Sequence, residues 1–201
     1  PAGLSRFDKL IAAAGGGLDD WKTAICGQLY AMRPAAARRF FLPVGLPVED
    51  GFLRAMVLTD VLTGPEEFSR IDGLDGLYHI YASERSLGAL LRHQLRIVIG
   101  SAINAALFAE LREGPADRRH ARLQSAAADS DWVGAVLRKR LPAWPYGYVP
   151  VHFLTKRLVR GFAAPRSAKR LLVAGAGFGF DAIVYIWAQI RMARGVGAGF
   201  W

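Results

Sequence analysis

The hydrophobic and polar positions in the first half of the chain predict both helices and strands. A short helical pattern covers residues 4–13, and the apolar run 21–33 is typical of a buried strand. Residues 78–83 alternate between the two faces of an extended chain, which predicts a half-buried strand. Residues 52–62 and 86–111 have the spacing of helices with a broad apolar face. We therefore expect an α/β fold.

After residue 85 the pattern is mostly helical, with one interruption. The polar, alanine-rich residues 112–128 predict a loop. Asp129 or Ser130 then offers a side chain that would cap a short amphipathic helix ending at Arg140. We expect the second half of the chain to consist of helices joined by polar connections.

The segment 171–190 is predicted to be a membrane-associated helix. Its twenty residues carry a single charge, Asp181, and basic residues flank it on both sides. A helix of this length is about 30 Å long, close to the thickness of the hydrocarbon layer. Because a charge at mid-membrane is unfavourable, three arrangements stay open. The segment spans the membrane with Asp181 facing protein or water, lies in the interface, or is buried in the protein.

The charge balance indicates a polyanionic partner. Lys and Arg number 26 and Asp and Glu 17, which gives a net charge of +9, and 52% of the residues are hydrophobic. The basic residues are scattered among apolar helical patterns and form no recognised nucleic-acid motif. We therefore expect no nucleic acid and favour a membrane surface or a phosphorylated ligand. The single cysteine, Cys26, excludes an intrachain disulfide.

Candidate chemistry centres on the acidic pair Glu49–Asp50. The pair follows Pro43 and Pro47, which favour an extended approach, and it precedes the predicted helix 52–62. Acidic side chains at a helix N-terminus interact favourably with the helix dipole, so a structural role alone would account for them. A carboxylate at such a turn can also accept the proton of a hydroxyl group, which makes that hydroxyl a better nucleophile.

The string Leu-Pro-Val-Gly-Leu-Pro-Val-Glu-Asp-Gly-Phe-Leu, residues 42–53, resembles the acceptor-side Glu-Asp motif of glycosyltransferase family 2. Members of this family are inverting enzymes with the GT-A fold. The resemblance implies that Asp50 is the general base, with Glu49 in support. The activated acceptor hydroxyl would then attack the anomeric carbon of a nucleotide sugar.

Two further segments, residues 25–33 and 93–97, resemble the same family. The first resembles the strand that lines the sugar pocket. The second lies where processive members carry Gln-x-x-Arg-Trp, of which Arg96 alone matches, and the resemblance implies that its guanidinium neutralises the leaving diphosphate. The resulting substrate-binding candidates are Gly27, Gln28, His93 and Arg96. The simpler alternatives are a packing glycine, a structural histidine and an arginine that extends to a membrane interface.

The resemblance also implies how the chain is organised. Residues 1–111 would be the acceptor-side part of a transferase domain, and residues 112–201 a helical, membrane-associated region. The donor-binding half and its Asp-x-Asp motif would precede residue 1. The ligands of Mg²⁺ or Mn²⁺ would then lie outside this chain, which alone would be inactive. The implied partners are a nucleotide-sugar donor and a glycan or lipid-linked acceptor, at the cytoplasmic side of the bacterial inner membrane.

A basic, membrane-associated structural or assembly protein without catalysis is the main alternative. It accounts for the charge and the aromatic residues, but it leaves the acidic turn and its companion segments unexplained. A membrane acyltransferase would need a His followed five positions later by an Asp, and none of the four histidines meets this requirement. We therefore expect a glycosyltransferase.

Overall fold

The computed structural model describes residues 5, 22, 24–25, 29–76, 86–141, 147–163 and 168–195. The regular elements within these ranges are α-helices and short 3-10 turns. The α-helices are α1 (Pro34–Ala37), α2 (Glu49–Thr59), α3 (Leu87–Arg112), α4 (Arg119–Ala128), α5 (Trp132–Arg140), α6 (His152–Ala163) and α7 (Ala168–Ala193). The 3-10 turns cover Phe68–Arg70 and Ala116–Arg118.

Helix α3 lies at the centre of the fold. It begins after Ser86, whose Oγ accepts a hydrogen bond of 3.1 Å from the N–H of Ala89 and so satisfies a donor of the first turn. The helix contacts α2, α4, α5 and α7. Its buried apolar residues are Leu95, Val98, Ile99, Ala102, Ile103, Leu107 and Leu111. Burial of this long apolar surface is the main force that assembles the surrounding helices.

The expectation of an α/β fold is wrong for the residues that the structure describes. They contain no β-strand, although Leu29 forms an isolated β-bridge. The described end of the predicted strand 21–33 is irregular and leads into α1. A short apolar run does not distinguish a strand from other buried structure, and this ambiguity explains the error. The described part of the chain is a helical assembly rather than a GT-A domain.

The predicted loop over residues 112–128 is also wrong, because α4 occupies its second part. Two residues of α4, Leu123 and Ala126, are buried and lie three positions apart on one face. This narrow apolar face anchors an otherwise polar helix against α3 and α5. So small an apolar signal is easily missed among the surrounding alanines and arginines.

The predicted helix ending at Arg140 is confirmed as α5, but its predicted caps are wrong. Neither Asp129 nor Ser130 caps the helix, which begins at Trp132 without a side-chain cap. The Asp129 carboxylate instead accepts a hydrogen bond of 2.9 Å from the N–H of Asp131. It therefore shapes the turn before the helix rather than the first helical turn itself.

The helices predicted over 86–111 and 171–190 are confirmed as α3 and α7, and the helix predicted over 52–62 corresponds to α2. The predicted strand 78–83 lies outside the described residues, as does the predicted helix 4–13 except for its residue 5. The predicted division of the chain after residue 111 stays a prediction.

The chain segment before α2 lies directly on α3 because residue 100 is glycine. A Cβ atom at Gly100 would clash with Val48 Cγ2 and would lie 2.9 Å from Val48 Cβ. Gly51 borders the same contact, since a Cβ there would lie 3.3 Å from Val48 Cγ1. The Val48 side chain thus occupies space that two glycines leave open. This contact brings the N-terminus of α2 against the middle of α3.

A buried polar network attaches α7 to the connection before α6. Gln189 Oε1 accepts hydrogen bonds from the N–H groups of Tyr148 at 2.9 Å and Val149 at 3.2 Å. Gln189 Nε2 and the Tyr185 hydroxyl both donate to the Val149 carbonyl, each at 3.1 Å. Because these groups are buried, each hydrogen bond avoids the penalty of an unpaired polar atom. The network fixes the position of α7, which also packs on α3 and α6.

Ion pairs join the C-terminal end of α3 to α5. The Glu110 carboxylate accepts hydrogen bonds from Lys139 Nζ at 3.0 Å and from Arg140 Nε at 2.7 Å, and its side chain is 13% exposed. Glu113 pairs with the same two basic residues. Burial raises the pKa of Glu110, but the charged hydrogen bonds outweigh burial and hold its pKa below the ordinary value.

One helix among the described residues, α3, is long and apolar enough to cross a membrane by length and composition. The mean hydropathy of its most apolar window is 1.3, and 50% of that window is buried by other parts of the protein. The central helix of a soluble helical core can have the same length and hydropathy, so these two properties are weak evidence that α3 crosses a membrane. The three arrangements considered for residues 171–190 stay open.

The packing of Val48 on Gly100 predicts that Gly100→Ala destabilises the protein. The added methyl group forces Val48 and the start of α2 away from α3, and we expect the free energy of unfolding to fall by about 2–3 kcal/mol. Urea unfolding monitored by circular dichroism measures the change. The control is Gly175→Ala in α7, where a Cβ meets nothing within 4 Å. That variant should be neutral or more stable, and an equal loss in both variants would contradict the contact.

The lowered pKa of Glu110 predicts a dependence of stability on pH. The unfolded chain has a Glu pKa of about 4.3, and the folded protein has a lower one. The stabilisation is therefore complete above the unfolded value and is lost as the pH falls through the folded value. In urea titrations the Glu110→Gln variant should be less stable than the wild type at pH 7 and should approach it as the medium becomes acidic. Glu66→Gln, at an exposed carboxylate, should leave the pH profile unchanged.

Candidate functional site

The acidic pair predicted from the sequence opens α2. Glu49 is the first residue of the helix and is exposed, and Asp50 follows it and is half-buried. Asp50 Oδ1 accepts a hydrogen bond of 2.7 Å from the N–H of Gly51. Among the described residues, the other carboxylate oxygen of Asp50 has no hydrogen bond. The acidic side chains lie at the positive end of the α2 dipole, where their interaction with the helix is favourable.

Two contacts with α3 fix the position of this turn. The first is the packing of Val48 on Gly100 described above. In the second, Asn104 Nδ2 donates a hydrogen bond of 3.0 Å to the Val48 carbonyl, which also accepts the N–H of Phe52 at 3.2 Å. Asn104 is 4% exposed, and within the described part of the chain its Oδ1 has no hydrogen-bond partner. A buried amide held in this way is a specific anchor rather than a surface contact.

The candidates Arg96 and His93 lie on the face of α3 that contacts Val48. They precede Gly100 by four and seven residues, which places all three side-chain positions along one side of the helix. Along the helix axis, they are about 6 Å and 10 Å from Gly100. Arg96 is exposed and His93 is half-buried. The turn and both basic candidates therefore lie along one side of α3, with the hydrogen bond from Asn104 on the other side of Gly100 from Arg96.

The remaining candidates, Gly27 and Gln28, lie outside the described residues. Their predicted roles in binding the sugar stay predictions. The four candidates that the structure describes are Glu49, Asp50, His93 and Arg96. They come from two segments that are more than thirty residues apart in sequence and that meet at Gly100.

The described residues do not fit a divalent metal ion. Within the described ranges, no group of three or more His, Cys, Asp or Glu side chains is arranged to hold one. Glu49 and Asp50 alone supply too few oxygen ligands for Mg²⁺, which prefers octahedral coordination. The prediction that the metal ligands lie outside this chain stays a prediction.

Sequence reasoning missed the two residues that anchor the turn, Gly100 and Asn104. A polar residue four positions after a glycine, within a long apolar helix, was the available signal. At that spacing both residues lie on one face. The pattern indicates a buried polar contact beside a close approach of the backbone. It could not identify Val48 as the partner, because Val48 precedes Gly100 by more than fifty residues.

A strained turn closes the other end of α2. Asp60, Val61 and Leu62 have φ angles of 47°, 60° and 62°, a left-handed conformation that β-branched residues rarely adopt. Arg39 Nη2 donates to both carboxylate oxygens of Asp60, at 2.7 and 3.0 Å, and His120 Nε2 lies 3.3 Å from Oδ1. Because α2 is about 16 Å long, these groups lie far from Asp50. Their contacts maintain the turn and the burial of its apolar side chains.

Comparison with known proteins identifies no relative. No protein-family model matches the chain, and neither a curated protein nor a solved structure matches it. The candidate site therefore depends on the residues and their geometry alone.

The hydrogen bond from Asn104 to the Val48 carbonyl predicts a local effect of Asn104→Ala. Loss of the bond should lower the free energy of unfolding by about 1–2 kcal/mol and loosen the first turn of α2. Amide hydrogen exchange measured by NMR should be faster at Phe52, whose N–H donates to the same carbonyl. Gln124→Ala, at an exposed position in α4, is the control. Unchanged exchange at Phe52 in Asn104→Ala would contradict the anchoring role.

Proposed function

We propose that the protein transfers a sugar from a nucleotide-sugar donor to an acceptor hydroxyl, with inversion at the anomeric carbon and Asp50 as the general base. The observation that supports this most is the packing of Val48 on Gly100, because the turn that contains Asp50 then lies on the same helix as Arg96. The proposal concerns this chemistry. It does not include an α/β fold.

In the proposed reaction, one carboxylate oxygen of Asp50 accepts the proton of the acceptor hydroxyl. The hydroxyl oxygen forms a bond to the anomeric carbon, and the bond from that carbon to the nucleoside diphosphate breaks. The electron pair of the broken bond leaves with the diphosphate. The hydrogen bond from Gly51 to the other carboxylate oxygen keeps the base in position during this step.

The charge that develops on the leaving diphosphate needs a counter-charge. Arg96 has a guanidinium group, which can bind two phosphate oxygens at once. We assign it this role, with His93 as a neighbouring contact to substrate. Glu49 is assigned a supporting role beside the base Asp50. Gly27 and Gln28 are assigned to binding of the sugar.

The proposed acceptor is a glycan or a lipid-linked hydroxyl at a membrane, and the proposed location is the cytoplasmic side of the bacterial inner membrane. The net charge of +9 and the apolar helices support a membrane as the place of reaction. These properties leave the donor sugar and the acceptor open.

A basic, membrane-associated protein without catalysis is a second candidate. The observation that favours it is that the described residues form helices and no β-strand, an arrangement that can support assembly or membrane binding without chemistry. It gives the half-buried carboxylate of Asp50 a structural role only, at the N-terminus of α2. Replacement of that carboxylate therefore separates the two candidates.

The general-base role predicts that Asp50→Asn reduces sugar transfer by roughly 100-fold or more, because the amide cannot accept the proton. The assay measures release of nucleoside diphosphate from a panel of nucleotide sugars, with membranes from cells that express the natural gene. Asp72→Asn is a matched control, since Asp72 Oδ1 likewise accepts the N–H of the glycine that follows it, at 2.8 Å. Near-normal turnover in Asp50→Asn would rule out Asp50 as the base.

A further inference from the structure

Helix α7 has an apolar stripe that the described part of the protein does not cover. Ile183, Ile186, Trp187 and Ile190 follow the spacing of one helix face, and 43–58% of each residue is exposed. The opposite side of α7 faces the core, and its buried residues are Val184, Tyr185, Ala188 and Met192. Large apolar side chains grouped on a surface usually mark a site of interaction.

A basic groove continues this stripe onto α3. The groove has a volume of about 640 Å³, and its apolar part is formed by Leu91, Leu95, Trp187 and Ile190. Its charged residues are Arg92, Arg191 and Arg194. None of the eight described residues that line the groove is acidic. The stripe and the groove together form one surface, which we call the basic-apolar face.

We propose that the basic-apolar face docks onto the surface of a bilayer that contains anionic phospholipids. The Ile and Trp side chains would enter the boundary between headgroups and acyl chains, and the arginines would contact phosphate groups. A helix with one apolar face, arginines beside it and a Trp at the boundary is suited to lying in the plane of the interface. This inference goes beyond the proposed transfer reaction and does not depend on Asp50.

The charges exclude the simplest competing occupant, a second copy of this chain. In a two-fold dimer the same surface patch meets itself, so the three arginines of one copy would approach those of the other. A phospholipid surface instead supplies the opposite charge. Asp181, which is half-buried, lies about 180° around α7 from Ile190 and so points away from the docked surface.

The first test measures binding of the 201-residue chain to sedimented vesicles made of equal parts phosphatidylglycerol and phosphatidylcholine. The chain should bind these vesicles and should bind pure phosphatidylcholine weakly. Arg92→Gln/Arg194→Gln should weaken binding roughly 30-fold, because each arginine near an anionic surface contributes about fivefold. Arg112→Gln/Arg118→Gln removes the same charge from exposed positions at the other end of α3 and should have a smaller effect.

The second test addresses the apolar stripe. Ile183→Ser/Ile186→Ser replaces two residues that are more than half exposed, so folding should be retained, and binding should weaken roughly tenfold or more. Val44→Ser/Leu74→Ser is the control, at residues that are 57% and 70% exposed elsewhere on the surface. Asp50→Asn should bind vesicles like the wild type, which separates this proposal from the proposed transfer reaction.

Several results would overturn docking. If Arg92→Gln/Arg194→Gln and Ile183→Ser/Ile186→Ser bind vesicles as well as the wild type does, the basic-apolar face does not contact the bilayer. Full competition by inorganic phosphate would indicate a site for free phosphate. A dimer in sedimentation equilibrium that Ile183→Ser/Ile186→Ser dissociates would identify a protein partner. Resistance of the vesicle-bound chain to a carbonate wash would indicate a spanning helix.

Discussion

The absence of a side chain at residue 100 determines how the two halves of the described structure meet. Since Gly100 has no Cβ, Val48 can lie against the backbone of α3, and its carbonyl comes within 3.0 Å of the Asn104 amide. Any larger residue at this position would separate the start of α2 from α3. The position of the turn that contains Asp50 therefore depends on one close approach in the middle of a helix.

Helix α3 connects the candidate site to the basic-apolar face, since Arg92 of the face and Arg96 of the site lie one helical turn apart. Leu91 and Leu95 in the groove are about 180° and 140° around the helix from Gly100, whereas Arg96 lies within about 40° of it. A helix with its side chains is about 10 Å across. In the proposed arrangement, the apolar part of the docked face and the acidic turn thus lie on opposite sides of α3, with Arg92 between them. The carboxylate would remain in water, close to a membrane-bound acceptor.

The rigidity of this arrangement comes from polar contacts at the two ends of the assembly. Glu110 joins the end of α3 to α5 through two charged hydrogen bonds. Gln189 holds α7 to the connection before α6 through three hydrogen bonds, all of them buried. Removal of one partner from such a contact leaves a polar or charged group without its counterpart, so these positions are less tolerant of change than the exposed stripe.

The sequence was sufficient to predict the long helices, but it was not sufficient to predict how they pack together. The apolar spacing of α3, with Ser86 before it, predicts the helix from local information alone. The apolar run 21–33 is too short for such a decision, and its interpretation as a strand led to the wrong fold class. The acidic turn was recognisable from its residue types, but its anchor on Gly100 depends on a contact between distant segments. The groove residues likewise belong to two helices that sequence periodicity cannot bring together.

The most direct measurement of the central claim is a double-mutant cycle between Val48→Ala and Gly100→Ala, with unfolding free energies from urea titration. Truncation of Val48 removes Cγ2, which a Cβ at residue 100 would approach most closely, and leaves Val48 Cβ in place. Gly100→Ala should therefore be less destabilising in the Val48→Ala background, with a coupling free energy of about 1–3 kcal/mol. Additive effects of the two substitutions would contradict the contact, and with it the position assigned to Asp50.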